Sequence, residues 1–190
     1  MTDALAPDLA AKLQEIIDRQ AIRDCLNRYA RGLDRHDDEL LATAFHDDAI
    51  DNHGNFLSTN RDAFVEWANY RVHSALTAHM HHLTTHNCEL DGDTAHTETY
   101  VIFVHKYKDG KTVHIAGGRY IDRLEKRDGE WRIAVRKVME DFRVISDGSV
   151  FGDWSGYPHG TWDRTDLSYE RPLDVSPEVI AQYEAAGRKH

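Results

Sequence analysis

The chain has 190 residues, 41% of them hydrophobic, which suits one domain with a real core and excludes a disordered polymer. Lysine and arginine number 23 against 33 acidic residues, a net charge of −10, which argues against a nucleic-acid partner and its demand for a basic face. Cys25 and Cys88 lack CxxC spacing and are too few for a disulfide framework, so both read as reduced thiols. No apolar run reaches the roughly 20 residues of a membrane helix, and the start MTDALAPDLAAKLQEIIDRQ has early acids and no apolar h-region, so the expectation is a cytoplasmic protein with no membrane association.

Leu9, Leu13, Ile16, Ile17, Ile22, Leu26, Tyr29 and Leu33 recur at helical spacing and predict an amphipathic helix, or two in series, over 8–33. The polar break Asp34-Arg35-His36-Asp37-Asp38 follows, where Asp37 or Asp38 can cap a short helix over 39–45. Ala49-Ile50-Asp51 reads as a short strand before a turn at Asn52-His53-Gly54-Asn55, and a third helix runs from after Asn60 to about Leu76 with Phe64, Trp67 and Val72 on its apolar side. Four strands are predicted at 81–90, 94–107, 112–126 and 130–146, joined by Asp91-Gly92-Asp93, Lys108-Asp109-Gly110-Lys111 and Arg127-Asp128-Gly129. Such short links force antiparallel neighbours, so helices first and a meander afterwards make an α+β domain over 1–146, with helices on one face of a curved antiparallel sheet and a pocket between. Residues 147–190 form a Gly/Pro-rich extension carrying Trp154, Tyr157, Trp162 and Tyr169, expected to act as a lid or an oligomer arm, with a short last helix from Ser176-Pro177.

Histidine is the compositional anomaly, with 13 in the chain and four in His79-Met80-His81-His82-Leu83-Thr84-Thr85-His86. Strand alternation puts His82, Thr84 and His86 on one face and His79 and His81 on the other. No Glu follows His82 in the HExxH manner, and the expectation is no metal and no cofactor. Cofactor-free proton transfer needs an imidazole base and a carboxylate to fix its tautomer, and Asp34, at the end of the first helical region with Tyr29 one turn and a half before it, is the candidate carboxylate.

Tyr29-Ala30-Arg31-Gly32-Leu33-Asp34, the His81-His82 pair, Asp91-Gly92-Asp93-Thr94-Ala95, Gly117-Gly118-Arg119-Tyr120-Ile121-Asp122-Arg123 and Asp128-Gly129-Glu130-Trp131-Arg132-Ile133 together resemble the SnoaL-like (NTF2-like) family, over about 12–146. The family includes enzymes similar to scytalone dehydratase, bile-acid 7α-dehydratase and lindane dehydrochlorinase. The resemblance implies an α+β cone around a deep apolar pocket, assembled as homodimers or homotrimers. It implies an acid–base dyad of Asp34 with His82, or with His81 if the register slips by one, and Tyr29 beside it. By the same resemblance His105, on the next strand, is a second imidazole and His53 faces substrate; His81 and Trp67 are the further candidates for substrate binding. The expected function is a cofactor-independent lyase acting on a small, largely apolar aromatic or steroid-like alcohol, by loss of water or release of formaldehyde. A ketosteroid-type isomerase or polyketide cyclase, and a non-catalytic ligand-binding module, are the alternatives.

Overall fold

The computed structural model describes residues 7–150 and 157–185. The chain separates into two compact units, Met1–Tyr157 and Pro158–His190. In the first, α1 (Pro7–Arg35) is one continuous helix. From Ile22 onward it buries Ile22, Cys25, Leu26, Tyr29, Ala30 and Leu33, whereas Leu9, Leu13, Ile16 and Ile17 stay 39% to 62% exposed. Its amphipathic pattern is therefore used against the sheet over only its second half. The helix ends in a pair of closing bonds, His36 N to Leu33 O at 3.1 Å and Asp37 N to Gly32 O at 2.9 Å. His36 takes the left-handed conformation (φ 50°) that glycine usually fills at this position. Gly32 is needed for a different reason, since a Cβ there would lie 2.7 Å from the Leu41 Cα of α2 (Asp38–Ala42). Asp37 caps α2 by accepting from Leu40 N at 3.1 Å.

Phe45, read from the sequence as the end of a helix, instead opens β1 (Phe45–Asn52), which pairs with the two-residue β2 (Leu57–Ser58). Asn60 caps α3 (Arg61–Glu66) through Ala63 N at 2.8 Å. The expected helix to residue 76 does continue, but widens to π pitch over Trp67–Val72 and tightens to a 3-10 turn over His73–Ala75. Asn69 and Tyr70 tie this irregular stretch to Asp38, at 2.5 and 2.8 Å. β3 (Leu76–Asp91) begins five residues before the sequence estimate, followed by β4 (Thr94–Tyr107), β5 (Thr112–Arg127) and β6 (Glu130–Asp147).

The six strands lie in the order β2-β1-β6-β5-β4-β3. The β3–β6 meander is antiparallel as expected, but β1 joins β6 in parallel, so the sheet is mixed. The long connection from β1 to β6 is what permits that pairing. Two irregularities matter. At Gly118 a Cβ would meet Met139 O at 2.0 Å, so only glycine fits the bulge where β5 crosses β6. On β3, Leu83 pairs with Val101 but His86 with Thr99, leaving one extra residue at Thr84-Thr85. That bulge resets the alternation: His79, His81 and Leu83 face the helices, and so do His86, Cys88 and Leu90. His82 and His86 therefore do not share a face, contrary to the unbroken strand assumed from the sequence.

Helices α1 and α3 close one side of the sheet over a core that includes Leu26, Tyr29, Phe45, Phe64, Leu124, Trp131 and Ile133. The opposite side exposes cross-strand rows, Ile102–Gly117–Phe142 and Tyr100–Arg119–Met139 among them, with Met80 and Val144 also bare. In the second unit, Asp166 accepts from Thr161 N and Ser168 N at 3.0 and 2.9 Å, Arg164 covers the Tyr169 ring, and α4 (Pro177–Ala185) starts on Pro177 after Ser176, as expected. Tyr157 is exposed and Trp162 half-buried, while Trp154 lies outside the described residues. Among the described residues no helix is long and apolar enough to cross a membrane.

Candidate active site

The pocket between α1, α3 and the sheet holds about 470 Å³ of empty space, its open mouth included. Its wall is mostly apolar, built from Leu33, Phe64, Trp67, Val72, Phe103 and Val138, and it is studded with four imidazoles, His53, His73, His81 and His105. Tyr29, Ala68 and Tyr120 complete it. Of the residues expected from sequence, Tyr29, His53, Trp67, His81 and His105 thus meet in one cavity.

Asp34, one residue short of the α1 terminus, reaches β3 with both carboxylate oxygens. Oδ1 accepts from His81 Nδ1 at 2.7 Å and Oδ2 accepts from the His81 backbone N–H at 3.0 Å. The carboxylate thereby fixes ring and tautomer together, leaving His81 Nε2 as the free lone pair on a pocket-lining ring. The expected partner His82 is exposed on the outer face, opposite Ile102. The pairing with Asp34 falls on His81, because a register shift between Leu76, which is buried, and Ala78 turns the odd-numbered His79, His81 and Leu83 inward up to the second bulge.

Behind this pair stands a relay that the sequence did not disclose. His79 Nδ1 lies 3.3 Å from the same Asp34 Oδ1, and His79 Nε2 is 2.9 Å from His36 Nε2. Burial alone would raise the Asp34 pKa, but the hydrogen bonds from His79 and His81 hold it far below the usual carboxylate range. The imidazoles shift down: burial, reinforced by neighbouring rings, lowers His36 to about 4 and His105 to about 3, and moves His73 and His79 in the same direction. Asp34 is therefore held anionic, with His36, His73, His79 and His105 kept neutral around it.

A second carboxylate–imidazole pair opens on the same cavity. Asp51, 1% exposed at the end of β1, bonds His53 Nδ1, and the His53 ring packs between Phe64 and Trp67 at 5.6 and 5.0 Å. Beneath lies Arg136, fully buried, paired to Asp122 through two 2.7 Å bonds and held between the Tyr29 and Tyr120 rings at 4.0 and 4.1 Å. Burial pushes the Tyr29 hydroxyl up to about 12 against the opposing pull of Arg136, so Tyr29 is a neutral donor anchored to this buried ion pair. His36, His73, Asp51, Asp122 and Arg136 escaped the sequence reading. The Asp51-Asn52-His53 spacing at a strand end was the one local signal, while His36 and His73 are recruited only by tertiary structure.

The sequence profile of the SnoaL-like domain family matches residues 14–137. No curated protein is similar enough to register as a match. Among solved structures, the chain is similar to a scytalone dehydratase-type protein from Novosphingobium aromaticivorans, at 22% identity over 73% of this chain and 97% of that one, with a TM-score of 0.63. It is similar to a type 2 hexachlorocyclohexane dehydrochlorinase, at 20% identity over 76% and 99%, with a TM-score of 0.70. It is also similar to Rv3472 of Mycobacterium tuberculosis, a protein of unknown function, at 28% identity over 73% and 78%, with a TM-score of 0.62.

Proposed function

The chain belongs to the SnoaL-like domain family, and on that premise we propose that it is a lyase that eliminates a leaving group from a small, largely apolar aromatic or steroid-like alcohol by acid–base chemistry. The observation that carries the reading is the two-point hold of Asp34 on His81, at 2.7 and 3.0 Å, in the wall of an apolar pocket. His81 Nε2 takes a proton from carbon. The C–H electron pair becomes the new double bond, and the leaving group departs with its own bonding pair. Asp34 stabilises the imidazolium that forms, and His53, backed by Asp51, protonates the departing oxygen. Loss of water fits this scheme. So does release of formaldehyde from a hydroxymethyl group. There the base removes the hydroxyl proton and the O–H pair forms the C=O. The C–C bond to the hydroxymethyl carbon breaks and its pair becomes the new double bond, and the leaving group departs from the neighbouring carbon with its own pair. An isomerase with Asp34 as base is less favoured, since both oxygens of Asp34 are engaged in orienting His81.

The test is a panel of aromatic and steroid alcohols, with unsaturated product or released aldehyde followed chromatographically. On the substrate that turns over, His81→Gln and Asp34→Asn should each lower kcat by about 10²–10⁴-fold with melting temperatures close to wild type. Turnover that survives both substitutions sinks the assignment.

A further inference from the structure

Three imidazoles of the pocket stand in a nearly equilateral triangle. The ring centroids of His73, His81 and His105 are 6.0, 5.9 and 6.0 Å apart, with interplanar angles between 60° and 79°. One ring nitrogen from each lies within 4.8 Å of the other two. His73 also stacks on His79, at 3.9 Å and 21°. Three imidazole nitrogens gathered this closely are the donor set of a three-histidine ion site.

The outer nitrogens support the same conclusion. His81 Nδ1 is held by Asp34 at 2.7 Å and His73 Nδ1 faces Asn69 Oδ1 at 3.3 Å, while Asn69 is itself fixed by Asp38. In both rings Nε2 is left for the centre, the pattern by which a carboxylate or amide oxygen orients a metal-bound imidazole. His105 Nε2 is buried without a hydrogen-bond partner, an unfavourable state that an ion would relieve. We propose that His73, His81 and His105 form a binding site for a single divalent transition-metal ion of the Zn²⁺ type, with its fourth position open to the apolar pocket.

All-nitrogen donors select Zn²⁺, Co²⁺ or Ni²⁺ over Mg²⁺ and Ca²⁺, which require oxygen. Tetrahedral binding at about 2.0–2.1 Å brings ligand nitrogens to roughly 3.3 Å of one another, so the triangle has to contract. His81 and His105 stand on the paired strands β3 and β4, but His73 opens the 3-10 turn that follows the π-helical stretch, the irregular segment best able to move inward. The site goes beyond the elimination reading and competes with it, because an ion on His81 Nε2 removes the base. Ion loading would therefore inhibit turnover.

Calorimetric titration of chelator-treated full-length protein with ZnCl₂, and with CoCl₂ followed by visible absorption, tests this without any organic substrate. Expected are one ion per chain, a four-coordinate Co²⁺ spectrum, binding weakened by on the order of 100-fold in His73→Asn and His105→Phe, and unchanged binding in the exposed control His96→Ala. Asp34→Asn should weaken it by about 10–100-fold through His81. No stoichiometric uptake by wild type overturns the site, as does a six-coordinate spectrum, or affinity that survives His105→Phe and falls in His96→Ala. The wild-type arms decide the matter even if a variant fails to fold. Turnover of the chelated protein reports on the elimination reading alone, so the two proposals fail separately.

Discussion

At the scale of single residues, the pocket is set by buried polar groups whose charge state is enforced by their surroundings. Tyr29 illustrates the consequence for stability. Its hydroxyl is raised to about 12 in the fold, first by burial, and Tyr120 is raised by the same cause with Tyr29 beside it. A phenol returns to about 10 when the chain unfolds, so each tyrosine stabilises the native state fully below pH 10 and loses that contribution as pH rises toward the folded value. Each group contributes a slope of about 1.4 kcal/mol per pH unit in that window. Chemical denaturation at pH 9, 10 and 11 should show wild type losing stability steeply and Tyr29→Phe losing it less steeply, from a lower starting point. Parallel pH dependence in the two proteins would mean that Tyr29 is not held neutral by burial.

At the scale of elements, the register shifts of β3 decide which histidines face inward. Periodicity made α1, β4, β5 and β6 legible, and the turn chemistry around Gly92, Gly110 and Gly129, all with positive φ, fixed the meander. Of the candidate residues read from the sequence, Tyr29, His53, Trp67 and His105 line the pocket and Asp34 reaches its wall through His81. The choice between His81 and His82 was not legible, because local pattern cannot say where a strand starts or where an extra residue enters it. His36 and His73 were hidden for a related reason. One sits in a left-handed helix cap and the other in a 3-10 turn, and neither geometry has a sequence period. The bulge at Thr84-Thr85 can be tested. Deleting Thr85 removes the extra residue, so either Leu83 and the histidines before it or Cys88 and Leu90 after it must turn outward. At about 1.5–3 kcal/mol per large apolar side chain, urea unfolding should show a loss of several kcal/mol, against a small change for Thr84→Val, which keeps the residue count. A deletion variant as stable as wild type would show that the strand re-registers freely and that the bulge does not set the site.

At the scale of the whole molecule, the first unit leaves two apolar surfaces in water. The outer side of the sheet presents Met80, Tyr100, Ile102, Met139, Phe142 and Val144, each between 42% and 54% exposed, in adjoining cross-strand rows. The first turns of α1 add Leu9, Leu13, Ile16 and Ile17. Scattered apolar side chains on a surface need no explanation, but contiguous rows across four strands do. Their centre is not a random patch. Arg119 crosses it with its guanidinium satisfied by Glu98 and Asp141, at 3.0 Å each, so its charge is already neutralised and the rows can be covered without leaving a cation unpaired. A stable interface buries roughly 1,200–2,000 Å² in total. The expected outcome is a homo-oligomer in solution, measured by light scattering on a sizing column, which Phe142→Glu and Ile102→Lys together shift to monomer while the far-ultraviolet spectrum is retained. A wild-type monomer at micromolar concentration would leave the exposed face without a self-partner and overturn this reading.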